Sequence, residues 1–551
     1  MLLRLMRHLL VYGLLLAGAA AYSFPFLWMA STSVKVDREL YTGDIRLIPI
    51  TPVPRAQSPY IDDRYYERPG DARAEWLLPK LKELAGSSGF RVPQEVSREA
   101  AEEQVARGLY QRLAQRIPKA LWDGDDRQAL LAAAAGEVTA EVVKEIFENV
   151  YRAFTLGRIL VRSQELQEEE LEKDKPFAER LDNLTPQTAT LVEREIKEKA
   201  QRFAVVRYDF SAGDCVRLSR TFELPFEAER LQRIRVSLQP DDTWHELWLT
   251  VEKNGKIHRA VRPLTLANFR ALTATWQEPG PDDYSTKIRN WTVFREESGA
   301  SSPVAGPRQL KLTLELRRTS RPGAWAHKLG YNYSRVLDYI PLWRYVSVSL
   351  FLVLLNVALA LFSSSLVAYA FARLQWPGRD FCFVLMLATM MIPPQVTMIP
   401  HFLIWKNVGA YDTLTPLWLG HAFGSAFFIF LMRQTLKGIP RDLEDAARID
   451  GCGFFRIYWF VMLPLVKPSL AAIAIFTFMG AWNDFMGPLI YLADQRLYPL
   501  AFGLYAFAVQ VGNDPVLTMA ASLVMTLPVI VIFFFAQKYF IQGITMTGMK
   551  G

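Results

Sequence analysis

The chain has 551 residues, 51% of them hydrophobic, and a mean hydropathy of +0.07, too apolar for an ordinary soluble protein and too polar for a uniform membrane bundle. Charge resolves that average into two parts: residues 35–330 carry 47 Lys/Arg and 46 Asp/Glu, whereas residues 1–34 and 331–551 together carry 16 and 10. The net charge of +7 therefore arises almost wholly outside the charge-rich segment, which excludes nucleic-acid binding as the main activity, and three cysteines (Cys215, Cys382 and Cys452) exclude a disulfide scaffold.

A spanning helix needs about 20 mostly apolar residues. Six segments are long enough: 8–30, 345–372, 381–404, 415–432, 458–481 and 516–536. Arg4 and Arg7 precede the first, and LAGAAAYS within it imitates a signal-peptide cleavage site, but the apolar run continues through FPFLWM beyond that site. We read it as a retained span.

Two strips, ITPVPRAQSP at 50–59 and SRPGA at 320–324, read as linkers that enclose an inserted unit. From about 72 to 202, AEEQVARGLYQRLAQRI and TAEVVKEIFENVYRAFTLGRILV place apolar residues at i, i+3, i+4 and i+7, which predicts amphipathic helices, and QELQEEELEKDK reads as a solvated face. From 203 to 318 the period becomes two. Ile234, Val236 and Leu238 alternate with polar neighbours, as do Leu310, Leu312, Leu314 and Leu316, and Asn254-Gly255 lies between two such runs as a two-residue hairpin turn. The expected product is a mainly helical part at 55–202 followed by an antiparallel β-sandwich at 203–325.

Lys/Arg asymmetry orients the remainder: eleven basic residues fall in segments that are cytoplasmic if the N-terminus is inside, against Lys406 and Arg496 in the short outer loops. Both termini are then cytoplasmic and the insert is extracytoplasmic. On the inner side, residues 441–468 read as two short helices broken at glycine. Pro440, Asp442, Glu444 and Asp445 suit a helix start, Ala446 and Ala447 leave a smooth surface for another protein, and Gly451 and Gly453 let the chain reverse. An ordinary amphipathic connector explains the same residues. Asn483 and Asp484 close span five near its outer mouth, Asp484 as a cap or as a contact for substrate or a binding protein. Pro393, Pro394 and Pro464 read as packing kinks.

Residues 441–464 resemble the EAA loop of binding-protein-dependent ABC importer permeases. Its pattern falls on Asp445, Ala446, Ala447, Gly451, Val461, Leu463 and Pro464, with Asp in place of Glu and Val in place of Ile; Glu444, beside the shorter acid, is expected to compensate. VAYAFARLQWPGRD, ATMMIPPQVTMIP, IFTFMGAWNDFMGPL, AQKYFIQGITMTGMKG and FPFLWMASTSVK are similar to the MalG-type carbohydrate-uptake subfamily, over about residues 1–50 and 331–551. The resemblance implies an α-helical membrane protein with six transmembrane helices of the type I ABC importer fold. Residues 1–54 hold the first span and 326–551 a five-span core, and the α+β insert lies between them. It further implies that Glu444, Asp445, Ala446, Ala447, Gly451, Leu463 and Pro464 couple the chain to a cytoplasmic ABC ATPase dimer. Other expected partners are a second, MalF-like permease, an extracytoplasmic solute-binding protein and the lipid of the cell inner membrane, with no nucleic acid. No G-x-x-x-x-G-K-[ST] loop occurs, so ATP and magnesium are expected on the partner ATPase, with no cofactor or metal on this chain.

The insert lies outside the resemblance. Trp244, Trp248, Trp276 and Trp291 are candidates for stacking on sugar rings, although aromatic residues in strands are commonly core. A glycosidase needs two carboxylates at a defined separation, and no pair stands out among 46 acids. The alternative for the whole chain is a membrane-anchored extracytoplasmic protein that binds or processes carbohydrate.

Overall fold

A computed structural model describes residues 2–41, 47–124, 126–163, 169–171, 189–196, 201–211, 213–280, 288–289, 291–304, 306–510, 512 and 514–545. These fall into two compact units: Met1–Val34 with Gly280–Asn290 and Asn332–Gly551, and Lys35–Pro279 with Trp291–Tyr331.

In the second unit, helices Ala72–Ser87, Arg98–Arg116, Arg127–Glu137 and Ala140–Val150 each open on a side chain that accepts an otherwise unpaired backbone N–H. Asp71 takes that of Ala74 at 3.1 Å and Thr139 that of Val142 at 3.3 Å, and Ser97 and Asp126 do the same for their helices. Their apolar faces close around Leu77, Leu81, Val105, Leu109 and Ile146. The helix expected across 139–161 ends at Val150, and Phe154–Ser163 is a strand. Its buried residues Phe154, Leu156, Ile159 and Val161 keep period two except at a bulge between Leu156 and Ile159, a three-residue step that imitates helical spacing. Ala189–Ile196 and Gln201–Asp209 are strands as well, so helix gives way to sheet at residue 151 rather than 203. Most of the expected solvated face at 164–175 lies outside the described residues.

The main hydrogen-bonded path runs Gln57–Ser58, Gln201–Asp209, Phe154–Ser163, Leu231–Gln239, Leu272–Gln277, Thr292–Ser301, Lys256–Ala260, Glu246–Lys253, Gln309–Arg317, Cys215–Glu223. Neighbours are antiparallel except Leu272–Gln277 with Thr292–Ser301. Ile234, Val236 and Leu238 are buried, as are Leu310, Leu312, Leu314 and Leu316, and one core draws on both halves of the path, with Leu156 and Val236 from one and Leu249 and Leu314 from the other. Each such leucine contributes about 1.5–3 kcal/mol by leaving water. Asn254 and Gly255 have φ of 49° and 73° and join Lys253 to its partner Lys256, as their sequence predicts. The strip at 50–59 is not a free linker, because Gln57 and Ser58 pair with Asp209 and Tyr208. SRPGA leads into the helix Arg321–Tyr339, so the expected edges at 55 and 325 fall inside this unit.

Among the described residues of the first unit three helical stretches are long and apolar enough to cross a membrane: Leu10–Ser33, Leu342–Arg373 and Thr415–Lys437. Two bent pairs raise the number to five if each is one span: Arg379–Thr389 with Pro394–Asn407, bent by 98°, and Phe454–Leu465 with Lys467–Trp482, bent by 81°. The sixth expected segment lies in the helix Pro515–Thr545, of which Pro515–Val531 is a shorter apolar stretch. The bends have chemical causes. Pro393 and Pro394 interrupt the first pair, and the break of the second, at Val466, stands just before Pro468, which has no N–H to give, and after a π turn over Ile457–Met462.

Candidate functional site

The stretch that carries the sequence pattern folds as a short helix, Asp442–Ile449, with Asp442, Glu444 and Asp445 in its first turn, where carboxylates oppose the positive end of the backbone dipole. A Schellman turn closes it: the Cys452 N–H donates to the Ala447 carbonyl and the Gly451 N–H to that of Arg448, both at 2.9 Å. Gly451 has φ of 80°, and a Cβ there would meet nothing within 4 Å. Backbone conformation, not space, requires this glycine.

The acids of the helix start face different ways. Glu444 is buried, 2.9 Å from Arg373 Nε and 3.7 Å from Arg448 Nη2. Arg373 also donates from Nη2 to the carbonyls of Leu436 and Ile439. Asp445 is exposed and pairs with Arg448 at 3.3 Å. Glu444 therefore does not stand in for the shorter acid on the outer surface, a correction to the expectation above; it ties the loop to the ends of helices Leu342–Arg373 and Ala426–Lys437. Arg373 was legible only as a loop charge. Ala446 is exposed, Ala447 is half-buried against the core, and Ile449 is 87% exposed. Leu463 and Pro464 belong to the next helical segment, Leu463 packed on the core and Pro464 exposed. The structure thus puts Asp445, Ala446 and Ile449 on the outside of one short helix, turns Glu444 inward, and leaves 463–464 to shape the helix that follows.

Elsewhere in the same unit a cavity of about 300 Å³ is lined by Leu417, His421, Ser425, Asp484, Gly487 and Tyr491, among others. It lies where the stretch Thr415–Lys437 is interrupted by a 3-10 turn at Leu419–Phe423. Carbonyls near the break find donors on a neighbouring helix: Asn356 Nδ2 to Leu417 O at 3.2 Å, and Ser363 Oγ to His421 O at 2.9 Å. Asp484 lines the cavity and accepts the Gly487 N–H at 3.1 Å, so it caps and faces the cavity at once. A Cβ on Gly487 would lie 2.5 Å from Asp484 Oδ2. Asn483 turns away, exposed, and bonds back to Met479 O at 2.9 Å. No motif pointed to His421, Ser425 or Tyr491; the glycines at 420 and 424 were the only local hint of a break.

In the second unit Trp244, Trp276 and Trp291 are buried, with Trp276 opposite Ile234 in the sheet and the Lys328 ammonium 5.6 Å from the Trp244 ring. None of the three offers an open face for stacking, which corrects that expectation: Trp276 in its strand, and Trp244 and Trp291 outside strands, are worth more buried than in water. Trp248 is half-buried, donates from Nε1 to Glu246 at 2.9 Å, and has the Arg259 and Arg317 guanidiniums 5.0 and 5.5 Å from its ring. Among the described residues no group of three or more His, Cys, Asp or Glu is arranged to hold a metal ion.

Residues 360–546 match the family of binding-protein-dependent transport system inner membrane components. The arabinooligosaccharides transport system permease protein AraQ of Halalkalibacterium halodurans is 37% identical over 209 residues, 38% of this chain and 75% of that protein. Its namesake in Bacillus subtilis is 40% identical over 203 residues, 37% and 72% of the two chains. A bacterial ABC transporter involved in the import of the acidic polysaccharide alginate aligns over 38% of this chain and 79% of its own at 28% identity, with a TM-score of 0.34. The bent, broken and straight apolar helices with their glycine-closed loop thus belong to a membrane component of a transport system, and the chain is a member of the binding-protein-dependent family. More narrowly, it is an ABC permease subunit of the inner membrane, a transport component and not an enzyme. Membership favours this over the membrane-anchored processing protein.

Proposed function

We propose that this chain conducts a carbohydrate, most simply an oligosaccharide, across the cytoplasmic membrane as one half of an ATP-driven importer. Relatives named for arabinooligosaccharide and alpha-glucoside transport support the substrate class. The observation that carries the coupling is the short helix Asp442–Ile449: fixed from within by Glu444 and Arg373, closed at Gly451, and open at Asp445, Ala446 and Ile449, it has the build of a rigid peg for a groove on another protein. In this reading a cytoplasmic ATPase dimer, which alone holds ATP and magnesium, receives that peg together with one from a second, MalF-like permease. An extracytoplasmic binding protein delivers the sugar, and six spans rock around a path that passes Asp484 and His421. Both termini are cytoplasmic, and the second unit, its sheet closed over one core as a sandwich, is extracytoplasmic. Leu463 and Pro464 act by shaping the helix behind the peg, and Asn483 stands at the span end.

The test is ATP-driven uptake into vesicles holding this chain with its ATPase, second permease and binding protein. Uptake of a neutral oligosaccharide that stops without ATP is expected; a complete, assembled importer that moves no member of a broad sugar panel would sink the proposal.

A further inference from the structure

The second unit contains a cavity of about 860 Å³ that the transport reading does not use. It stands in the upper part of the roughly 300–1,000 Å³ range of small-molecule clefts. One part of its lining is the strip from Leu47 to Val53. That strip is pinned by a buried ion pair between Lys328 and Glu39, whose side chains are 2% and 4% exposed. Glu39 Oε2 accepts the Ile50 N–H at 2.6 Å, and Lys328 Nζ donates to the Ile50 carbonyl.

Another part is the turn at 241–245. Asp242 and Trp244 line the cavity, and both have left-handed backbones, with φ of 61° and 62°. Aspartate enters that conformation readily but tryptophan does not, and at Trp244 the residues around it enforce it. Asp241, Thr243 and His245 are fully buried. Tyr208 and Thr243 each donate a hydroxyl to the Asp241 carboxylate at 2.6 Å, Tyr60 donates to the Asp241 carbonyl at 2.9 Å, and His245 Nε2 lies 2.7 Å from the Arg55 carbonyl. A buried network that holds a strained tryptophan against a cavity is a feature that clusters at binding sites.

Arg68 and Arg107 belong at once to this lining and to that of a neighbouring cavity of about 410 Å³. Five acids and five bases line the larger cavity. Such a balance gives little net attraction for an ion; with Lys328 paired to Glu39 and Arg55 to Asp63, the planar groups of Arg68 and Asp242 are the ones that adjacent sugar hydroxyls would meet. Tyr60 and Tyr66 add apolar faces.

We propose that this cavity of about 860 Å³ is an extracytoplasmic binding site for a neutral oligosaccharide, formed by this permease itself; the choice of ligand rests on the carbohydrate-import reading. The test uses the full-length chain, purified in detergent without partners and titrated by calorimetry with arabino-, malto- and xylo-oligosaccharides, and with oligogalacturonate as a charged control. Saturable binding of a neutral oligosaccharide is expected, weaker by about tenfold or more in Arg68→Ala and in Asp242→Asn, the loss of a hydrogen bond to a charged group. Asn accepts a left-handed backbone, so the second variant removes the charge without disturbing the turn. The site is refuted if no neutral sugar binds, if both variants bind as the parent does, or if the acidic oligomer binds tighter than every neutral one. It is equally refuted if the variants weaken only the hold of a binding protein on the chain while no sugar binds, since the cavity is then a protein-docking face. Uptake by the complete importer is measured in parallel. Uptake that persists while the isolated chain binds nothing refutes the site and leaves the permease reading intact, and binding without any uptake counts against the permease reading alone.

Discussion

Arg373 and Glu444 stand 2.9 Å apart with each side chain only 4% exposed, and they join the end of a long apolar helix to the start of the loop helix Asp442–Ile449. A pair this deep fixes position more than it adds stability, because desolvating both charges offsets most of their attraction. Breaking it is another matter. Glu444→Ala leaves a buried guanidinium unpaired and is expected to cost about 3–5 kcal/mol, whereas Arg373→Met with Glu444→Leu recovers most of that loss. Thermal unfolding of the purified chain reads both; a single variant as stable as the parent would mean the pair does not anchor the loop.

The insert should lose stability in acid through His245. This side chain is fully buried, its Nε2 lies 2.7 Å from the Arg55 carbonyl, and its Nδ1 accepts the Thr319 N–H at 3.1 Å, an arrangement for neutral imidazole. Burial pushes its basicity below the ordinary 6.5, against the pull of Asp241. With the folded value below the unfolded one, the unfolded chain takes up a proton that the folded chain refuses, so stability falls as pH drops below about 6.5. His327 works in the opposite sense, since its hydrogen bond to Glu246 raises its basicity and its contribution fades as pH rises through that raised value. Tryptophan-monitored melting should show His245→Gln flattening the acid-side slope; a slope unchanged by the substitution contradicts the assignment.

Around the smaller cavity, Gly487→Ala would place a methyl group 2.5 Å from Asp484 Oδ2 and 2.8 Å from Leu417 Cδ2. Such overpacking costs about 1–3 kcal/mol and must displace the carboxylate. Uptake should fall in Gly487→Ala and in Asp484→Asn while the ATPase stays bound, which separates a path residue from a coupling residue. Full uptake in both would remove Asp484 from the path.

The native cysteines report sidedness. Cys215 is exposed in the second unit and Cys452 is half-buried just after the loop helix. Burial, followed by the nearby Glu315, pushes the Cys215 thiol above its ordinary value, so labelling belongs at mildly alkaline pH. An impermeant maleimide added outside intact cells is expected to modify Cys215 and to spare Cys452; the reverse would overturn the proposed topology.

What could be read from sequence was what local chemistry decides. The glycine-closed helix, the Asn254–Gly255 turn and the inward leucines at 310–316 each rest on a few adjacent residues, and each stands where its pattern put it. Long-range pairing leaves no such trace. Nothing near Glu444 in sequence names Arg373, and nothing near Asp484 names His421. The strand Phe154–Ser163 was hidden for a different reason, a bulge that turned period two into an apparent helical step. The tryptophans misled because ring chemistry is the same in a core as on a sugar, and only burial tells them apart.

The central claim is that the loop helix is the coupling element, and its most direct test is retention of the ATPase by Ala446→Arg and Gly451→Val permeases. Ala446 is exposed, so arginine there leaves the fold intact and obstructs only a partner. Valine at 451 opposes a φ of 80° and loosens the turn. Obstructing a packed contact by about 1–3 kcal/mol corresponds to a roughly five- to more than a hundred-fold loss of affinity. The account predicts membrane-inserted variants that no longer copurify with the ATPase and no longer drive uptake, with Asp445→Glu as good as the parent or tighter. Variants that retain the ATPase and transport normally would make this loop a plain connector and contradict the account.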